Sequence, residues 1–143
     1  MKILCSGNPM NETITFDINL SVVGNPIIDI FVDDRKLDST KFTIPLDFGK
    51  HNLRIIHSGK TNQTPENFVK INSVTIDGVN IRDILYTDSF NIPEYPEPWA
   101  TQQQEQGIEL EERVLGQTEL AFNCEWCLPF TSPFFEFVIK HVR

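Results

Sequence analysis

Thr13-Ile14-Thr15-Phe16-Asp17-Ile18-Asn19-Leu20 (residues 13–20) alternates without a break. Ile14, Phe16, Ile18 and Leu20 fall on one side, and Thr13, Thr15, Asp17 and Asn19 on the other. A period of two over eight residues is the mark of a strand with one buried face. Working outward, Gly24-Asn25-Pro26 marks a turn, and Ile27–Val32 follows as a strand with apolar residues on both faces. Asp33-Asp34-Arg35-Lys36 closes it as a charged turn. Phe42, Ile44, Leu46 and Phe48 alternate again, with Pro45 among them. Proline lacks the ladder donor, so this strand belongs at a sheet edge or at a bulge. Gly49 turns the chain into His51–His57, where Leu53 and Ile55 keep the spacing.

After a polar loop over 58–67, Phe68–Ile76 returns to strand. Asp77-Gly78 then stands between Val74-Thr75-Ile76 and Val79-Asn80-Ile81. A two-residue Asp-Gly loop suits a type I′ turn, which needs positive φ at both positions and matches the strand twist. Ile108–Leu115 and Thr118–Phe130 read as two further strands joined by Gly116-Gln117. Ser132-Pro133 opens a short C-terminal helix, with Ser132 as N-cap and Pro133 at the first helical position. Phe134, Phe137, Val138 and His141 form its apolar stripe. Glu136 stands near its positive end, with Lys140 and His141 near its negative end.

Composition agrees with the strand rhythm. The chain of 143 residues holds 16 Ile, 9 Val, 11 Thr and 11 Phe but only 2 Ala. Branched and aromatic side chains suit a pleated, half-buried surface, and scarce alanine weakens helices. Seven or eight short strands with turn signals predict a single all-β domain over 1–143, a two-sheet jelly-roll-like β-sandwich with a short C-terminal helix. A barrel is the alternative.

Between these strands, residues 87–107 read as a long proline-rich acidic loop, carrying Pro93-Glu94-Tyr95-Pro96-Glu97-Pro98-Trp99. Closely spaced prolines block both helix and ladder pairing. Loops this long are functional or disordered. The net charge of −8 is concentrated in the segment from Asp83 to Glu112, which contains this loop. Asp83, Asp88, Glu94, Glu97, Glu105, Glu109, Glu111 and Glu112 carry eight of the 20 acids with no Lys or Arg between them, and the rest of the chain is neutral. Such a charge argues against nucleic acid or an anionic membrane as partner. The segment reads either as a solvated loop or as an acidic docking surface.

The chemistry-bearing motifs exclude more than they assign. Cys124-Glu125-Trp126-Cys127 has C-x-x-C spacing, but within a strand the two thiols point to opposite faces, and no second pair completes a zinc site. With Cys5 the cysteines number three, too few for a disulfide framework. His51, His57 and His141 are scattered, and nucleophile-elbow, phosphate-loop and dinucleotide motifs are absent, so an enzyme is not expected. Asp77, Asp83 and Asp88 are candidate Ca²⁺ ligands, as are Asp33, Asp34 and Asp38, because calcium gathers oxygens from loops. The alternative is solvated turn acids. Tyr86, Phe90, Tyr95 and Trp99 stand outside the alternating core positions. They either stack on a ligand or anchor the loop, with Glu94 and Glu97 placed to bond ligand hydroxyls. Trp126 is assigned to the core. No apolar run of signal-peptide or membrane-span length occurs, so a cytoplasmic product, in a host cytoplasm or a virion, is expected rather than a secreted one.

Two resemblances follow from these residues. Phe68–Ile76, Asp77-Gly78 and Val79–Leu85 are similar to the β-sandwich of calcium-dependent xylan-binding carbohydrate-binding modules, although that family's calcium-ligand pattern is not reproduced. The back half resembles small uncharacterised proteins of large tailed phages of marine bacteria, cyanophages among them. It does so through Val74–Ile81, the Pro-Tyr-Pro-Glu-Pro-Trp stretch, and Gly116–Cys127 running into Phe130-Thr131-Ser132-Pro133-Phe134. The first resemblance implies a glycan-binding module. The second implies a phage context without a mechanism. The alternative to a binding module is a virion structural or assembly protein docking on another protein through its acidic loop.

Overall fold

The computed structural model describes residues 11–61, 63–95 and 97–141. The stretch containing Cys5 and the N-terminal residues, on which the secretion argument rests, lies outside them. Two antiparallel sheets pack face to face. The opening alternation forms β1 (Asn11–Val23), which lies inside the first sheet with Ile14, Phe16 and Ile18 buried. It pairs with β4 (Lys41–Asp47) over its first half and with β6 (Phe68–Ile76) over its second. β4 is the edge strand, and Pro45 sits there opposite Thr13, where its missing donor leaves no ladder bond unmade.

In β6 the buried residues change phase from Val69 and Ile71 to Val74 and Ile76. A bulge causes this: Asn19 faces Ser73 whereas Leu20 faces Ile71, so Asn72 is the extra residue. The Asn72 amide donates to Asn19 Oδ1 at 2.9 Å and to Ser21 Oγ at 2.7 Å, which holds the bulge in place. β7 (Val79–Asn80) pairs back onto β6 through Asp77-Gly78, with φ of 50° and 80°, the positive pair that a type I′ turn requires. β10 (Glu119–Leu120) completes this sheet.

The second sheet runs in the order β3 (Arg35–Leu37), β2 (Ile27–Val32), β5 (Gly49–Ser58), β11 (Cys124–Ser132), β8 (Phe90–Pro93), β9 (Val114–Leu115). Its inward residues include Ile30, Leu53, Ile55, Trp126, Leu128 and Phe130, which meet Ile14, Phe16, Ile44 and Val74 between the layers. Trp126 is fully buried. Cys124 faces that core, while Cys127, three residues on, falls on the opposite side of the strand.

Four expectations need correction. The strand after Asp77-Gly78 is shorter than Val79-Asn80-Ile81: pairing stops at Asn80 and an unexpected helix, α1 (Arg82–Asp88), follows, burying Ile84 and Leu85. The excursion over 87–107 is not a plain loop. Phe90–Pro93 pairs with β11, and Trp99–Glu105 forms α2, because the prolines end before a run of Gln and Glu with good helix propensity. Ile108–Leu115 yields only Val114–Leu115 as strand, and Thr118–Phe130 divides into β10 in one sheet and β11 in the other. The C-terminal helix α3 (Phe134–His141) begins one residue after Pro133, and its start is capped from another strand. Glu12 Oε2 accepts the Phe134 N–H at 2.6 Å and also the Ser132 hydroxyl.

Among the described residues no helix is long and apolar enough to cross a membrane.

Candidate functional site

The proline-rich stretch brings two of its rings together. Tyr95 and Trp99 lie with centroids 5.9 Å apart and planes tilted by 35°. Trp99 opens α2 and is 42% exposed. The Tyr95 hydroxyl donates to the Glu111 carbonyl at 2.8 Å, which ties the turn to the segment beyond α2. Glu97 Oε1 accepts the Thr101 N–H at 3.1 Å, and its Oε2 meets the Thr101 hydroxyl. That carboxylate caps α2 in place of Pro98, which offers no side-chain acceptor. Glu94 is exposed, and its N–H donates to the Asn123 carbonyl at 2.8 Å. Tyr86 is 60% exposed on α1 and stacks on neither ring.

The three candidate metal ligands take separate duties. Asp77 Oδ1 accepts the Thr15 N–H at 2.8 Å and clamps the hairpin. Asp88 Oδ2 lies 2.7 Å from His141 Nε2, joining α1 to α3. Asp83 is the acid of the first turn of α1. In the second set, Asp33 is bonded to His51 and to the Asn52 N–H. Among the described residues no group of three or more His, Cys, Asp or Glu side chains is placed to hold a metal ion.

A second constellation, which the sequence does not signal, lies on the outer face of the six-stranded sheet. Phe31 faces Arg54 across β2 and β5, Arg54 faces Cys127 across β5 and β11, and Cys127 faces Phe90 across β11 and β8. The four form one row across three strand spacings, about 14 Å. Glu125, two residues from Cys127 on the same face, receives both Arg54 Nε and Nη2 at 3.2 Å. Such a two-pronged pair is planar and orientation-specific. The Arg54 guanidinium also lies 4.9 Å from the Phe31 ring centre and donates to the Asp33 carbonyl at 2.9 Å. Its hydrogen bonds to Glu125 hold that carboxyl below the usual carboxylate range, against the opposing effect of burial.

At the far end the Arg113 guanidinium rests 4.3 Å above the Phe90 ring. Burial pushes the Cys127 thiol up to about 12, and its bond to Glu125 at 3.2 Å adds to the shift. Arg54, Glu125, Cys127, Phe90 and Arg113, with Asp34, Asn52 and Ile92, line an open cleft of about 610 Å³, and Phe31 lies outside it on the other side of Arg54. Local patterning could not reveal the cleft, since Arg54 and Glu125 are far apart in sequence and meet only through strand order.

The sequence matches no protein-family model and no curated protein. Among solved structures it is similar to one described as "vCBM60 in complex with galactobiose", at 10% identity and a TM-score of 0.48, over 82% of this chain and 97% of that one. What stands independently of that likeness is an all-β sandwich of two antiparallel sheets, with three short helices.

Proposed function

We propose that the protein is a non-catalytic binding module for glycans, with Tyr95 and Trp99 as its stacking surface. The observation that carries this reading is the ring pair itself: two amphipathic aromatics 5.9 Å apart on a capped turn, with the indole left accessible. Sugar rings offer apolar C–H faces to aromatics and hydroxyls to flanking acids, and Glu94 and Glu97 supply the carboxylates. His51 and His141 are taken up elsewhere, on carboxylates and backbone carbonyls, and His57 is buried in the sandwich, which speaks for binding rather than hydrolysis.

Screening on a glycan array, followed by calorimetry on the best binder, tests the reading. Trp99→Ala weakens binding about tenfold with the fold intact by circular dichroism. Unchanged affinity in that variant rules out the ring pair as the binding surface. Addition of EDTA or Ca²⁺ separates a metal-free mode from one using Asp77, Asp83 or Asp88.

A second reading keeps a protein partner. Glu105, Glu109, Glu111 and Glu112 are all exposed and form no ion pair among the described residues, an acidic strip suited to a basic protein surface in a virion or other assembly. Retention on a cationic partner that disappears at high salt, with an array that stays blank, favours it over the glycan reading.

A further inference from the structure

We infer that the cleft on the outer face of the six-stranded sheet is a second subsite of the same glycan surface, taking the continuation of an uncharged oligosaccharide whose first unit stacks on Trp99. The inference rests on the reading above and extends it.

Continuity comes from one segment. Glu111 receives the Tyr95 hydroxyl, and Arg113, two residues on, forms a wall of the cleft. Two residues of extended chain span at most about 7 Å. The run Glu109–Arg113 itself lines a hollow that shares Arg113 with the cleft. The ring pair and the cleft are thus joined through one short segment, Glu111–Arg113.

The chemistry of the cleft selects the ligand class. Its floor sets the Phe90 ring and Ile92 beside the internally neutralised Arg54–Glu125 pair. Three polar side chains stand at its margin: Asp34 as acceptor, Arg113 as donor, and Asn52 as both. The Arg113 guanidinium contacts a ring face and has no carboxylate partner among the described ion pairs, so its donors are available. Mixed donors and acceptors over an apolar floor match the hydroxyls and C–H faces of a neutral sugar. A strongly anionic chain is disfavoured, because Glu109, Glu111 and Glu112 flank the approach. The cleft is also built on strands whose register fixes Arg54, Cys127 and Phe90 side by side, so little ordering is required on binding.

The test is a length series. Neutral xylo-, cello- and galacto-oligosaccharides of about two to six units are titrated against wild type, Trp99→Ala and the double variant Asn52→Ala/Arg113→Ala, whose replaced side chains are surface groups outside the core. Wild-type affinity is expected to rise with chain length and level off once the cleft is filled. The double variant is expected to keep the affinity for the shortest ligand and lose roughly tenfold for the longest. Trp99→Ala weakens every length. Affinity independent of length, or a double variant that matches wild type at all lengths, overturns the second subsite while leaving the ring-pair reading in place. Wild type that binds none of the three series overturns both. Circular dichroism of each variant separates lost contacts from lost fold.

Discussion

The His51 imidazole is held between the Asp33 carboxylate, 2.6 Å from Nδ1, and the Asp47 carbonyl, 2.5 Å from Nε2. Both neighbours are acceptors, so only the doubly protonated ring donates to each. Burial opposes that charge, but the Asp47 carbonyl and the Asp33 carboxylate outweigh it and raise the pKa. His141 repeats the arrangement between the Phe137 carbonyl and Asp88, also with a raised pKa despite burial. Stability supplied by such rings is complete below the ordinary histidine value of 6.5 and is lost as pH rises through the folded values.

His57 acts in the opposite sense. Its burial, with Lys60 nearby, lowers the pKa, so its contribution is present above 6.5 and fades as pH falls. A urea midpoint measured across the neutral range should therefore peak near 6.5 in wild type. In His51→Gln/His141→Gln the decline on the alkaline side should be absent. A wild-type curve that keeps rising above neutrality would contradict the doubly bonded imidazolium.

Glu12 joins the start of the chain's first described strand to the start of its last helix, accepting the Phe134 N–H at 2.6 Å. α3 carries Phe134 and Phe137 into the core, so its docking depends on that cap. Glu12→Ala leaves the N–H and the Ser132 hydroxyl without their acceptor and should cost about 1–2 kcal/mol. Glu12→Gln retains an acceptor oxygen and should recover part of it. Equal unfolding midpoints for wild type and Glu12→Ala would show that the cap is dispensable.

What could be read from the residues alone follows the range of each signal. β1 and the Asp77-Gly78 hairpin are local patterns, and Pro45 carries its edge meaning wherever the strand falls. The helix at 134–141 is legible because its apolar stripe and its charges agree. α1 and α2 are not, because seven residues give too few turns for a 3.6-residue period to stand out beside strands. At Asn72 the alternation breaks for a reason visible only in the pairing, where one residue too many faces β1. The ring pair is foreshadowed by its short spacing. The Phe31–Arg54–Cys127–Phe90 row is not, since each member looks ordinary within its own strand and becomes a site only when β2, β5, β11 and β8 stand side by side.

The C-x-x-C pair makes a direct prediction. Burial raises both the Cys124 and Cys127 thiols to about 12, and the thiolate is the reactive form. They lie on opposite faces of β11 and should neither pair with each other nor take up a thiol reagent in the folded protein. Alkylation at mildly alkaline pH, mapped by peptide mass spectrometry, should leave both unlabelled until denaturant is added. Labelling of Cys127 in the native protein would mean that the thiol is reachable from the cleft it lines.

Two glycines with similar backbone angles should respond differently to a methyl group. Gly78 has φ of 80° and open space where a Cβ would lie, so Gly78→Ala meets only the left-handed conformational penalty, about 1 kcal/mol. Gly116 has φ of 68°, and a Cβ there would lie 2.7 Å from the Tyr86 carbonyl oxygen. That neighbour is backbone and cannot swing aside, and the Gly116 N–H is bonded to the Ser89 carbonyl at 2.8 Å. Gly116→Ala should therefore cost about 3 kcal/mol, the added part being strain. The damage should also reach the cleft. Leu115 pairs with Phe90, and moving that pair shifts the ring beneath Arg113. Denaturation midpoints of the two variants, with affinities for the longest oligosaccharide that binds, check both statements. Equal losses of stability would show that α1 yields to the methyl group, and an unchanged affinity in Gly116→Ala would detach β9 from the binding surface.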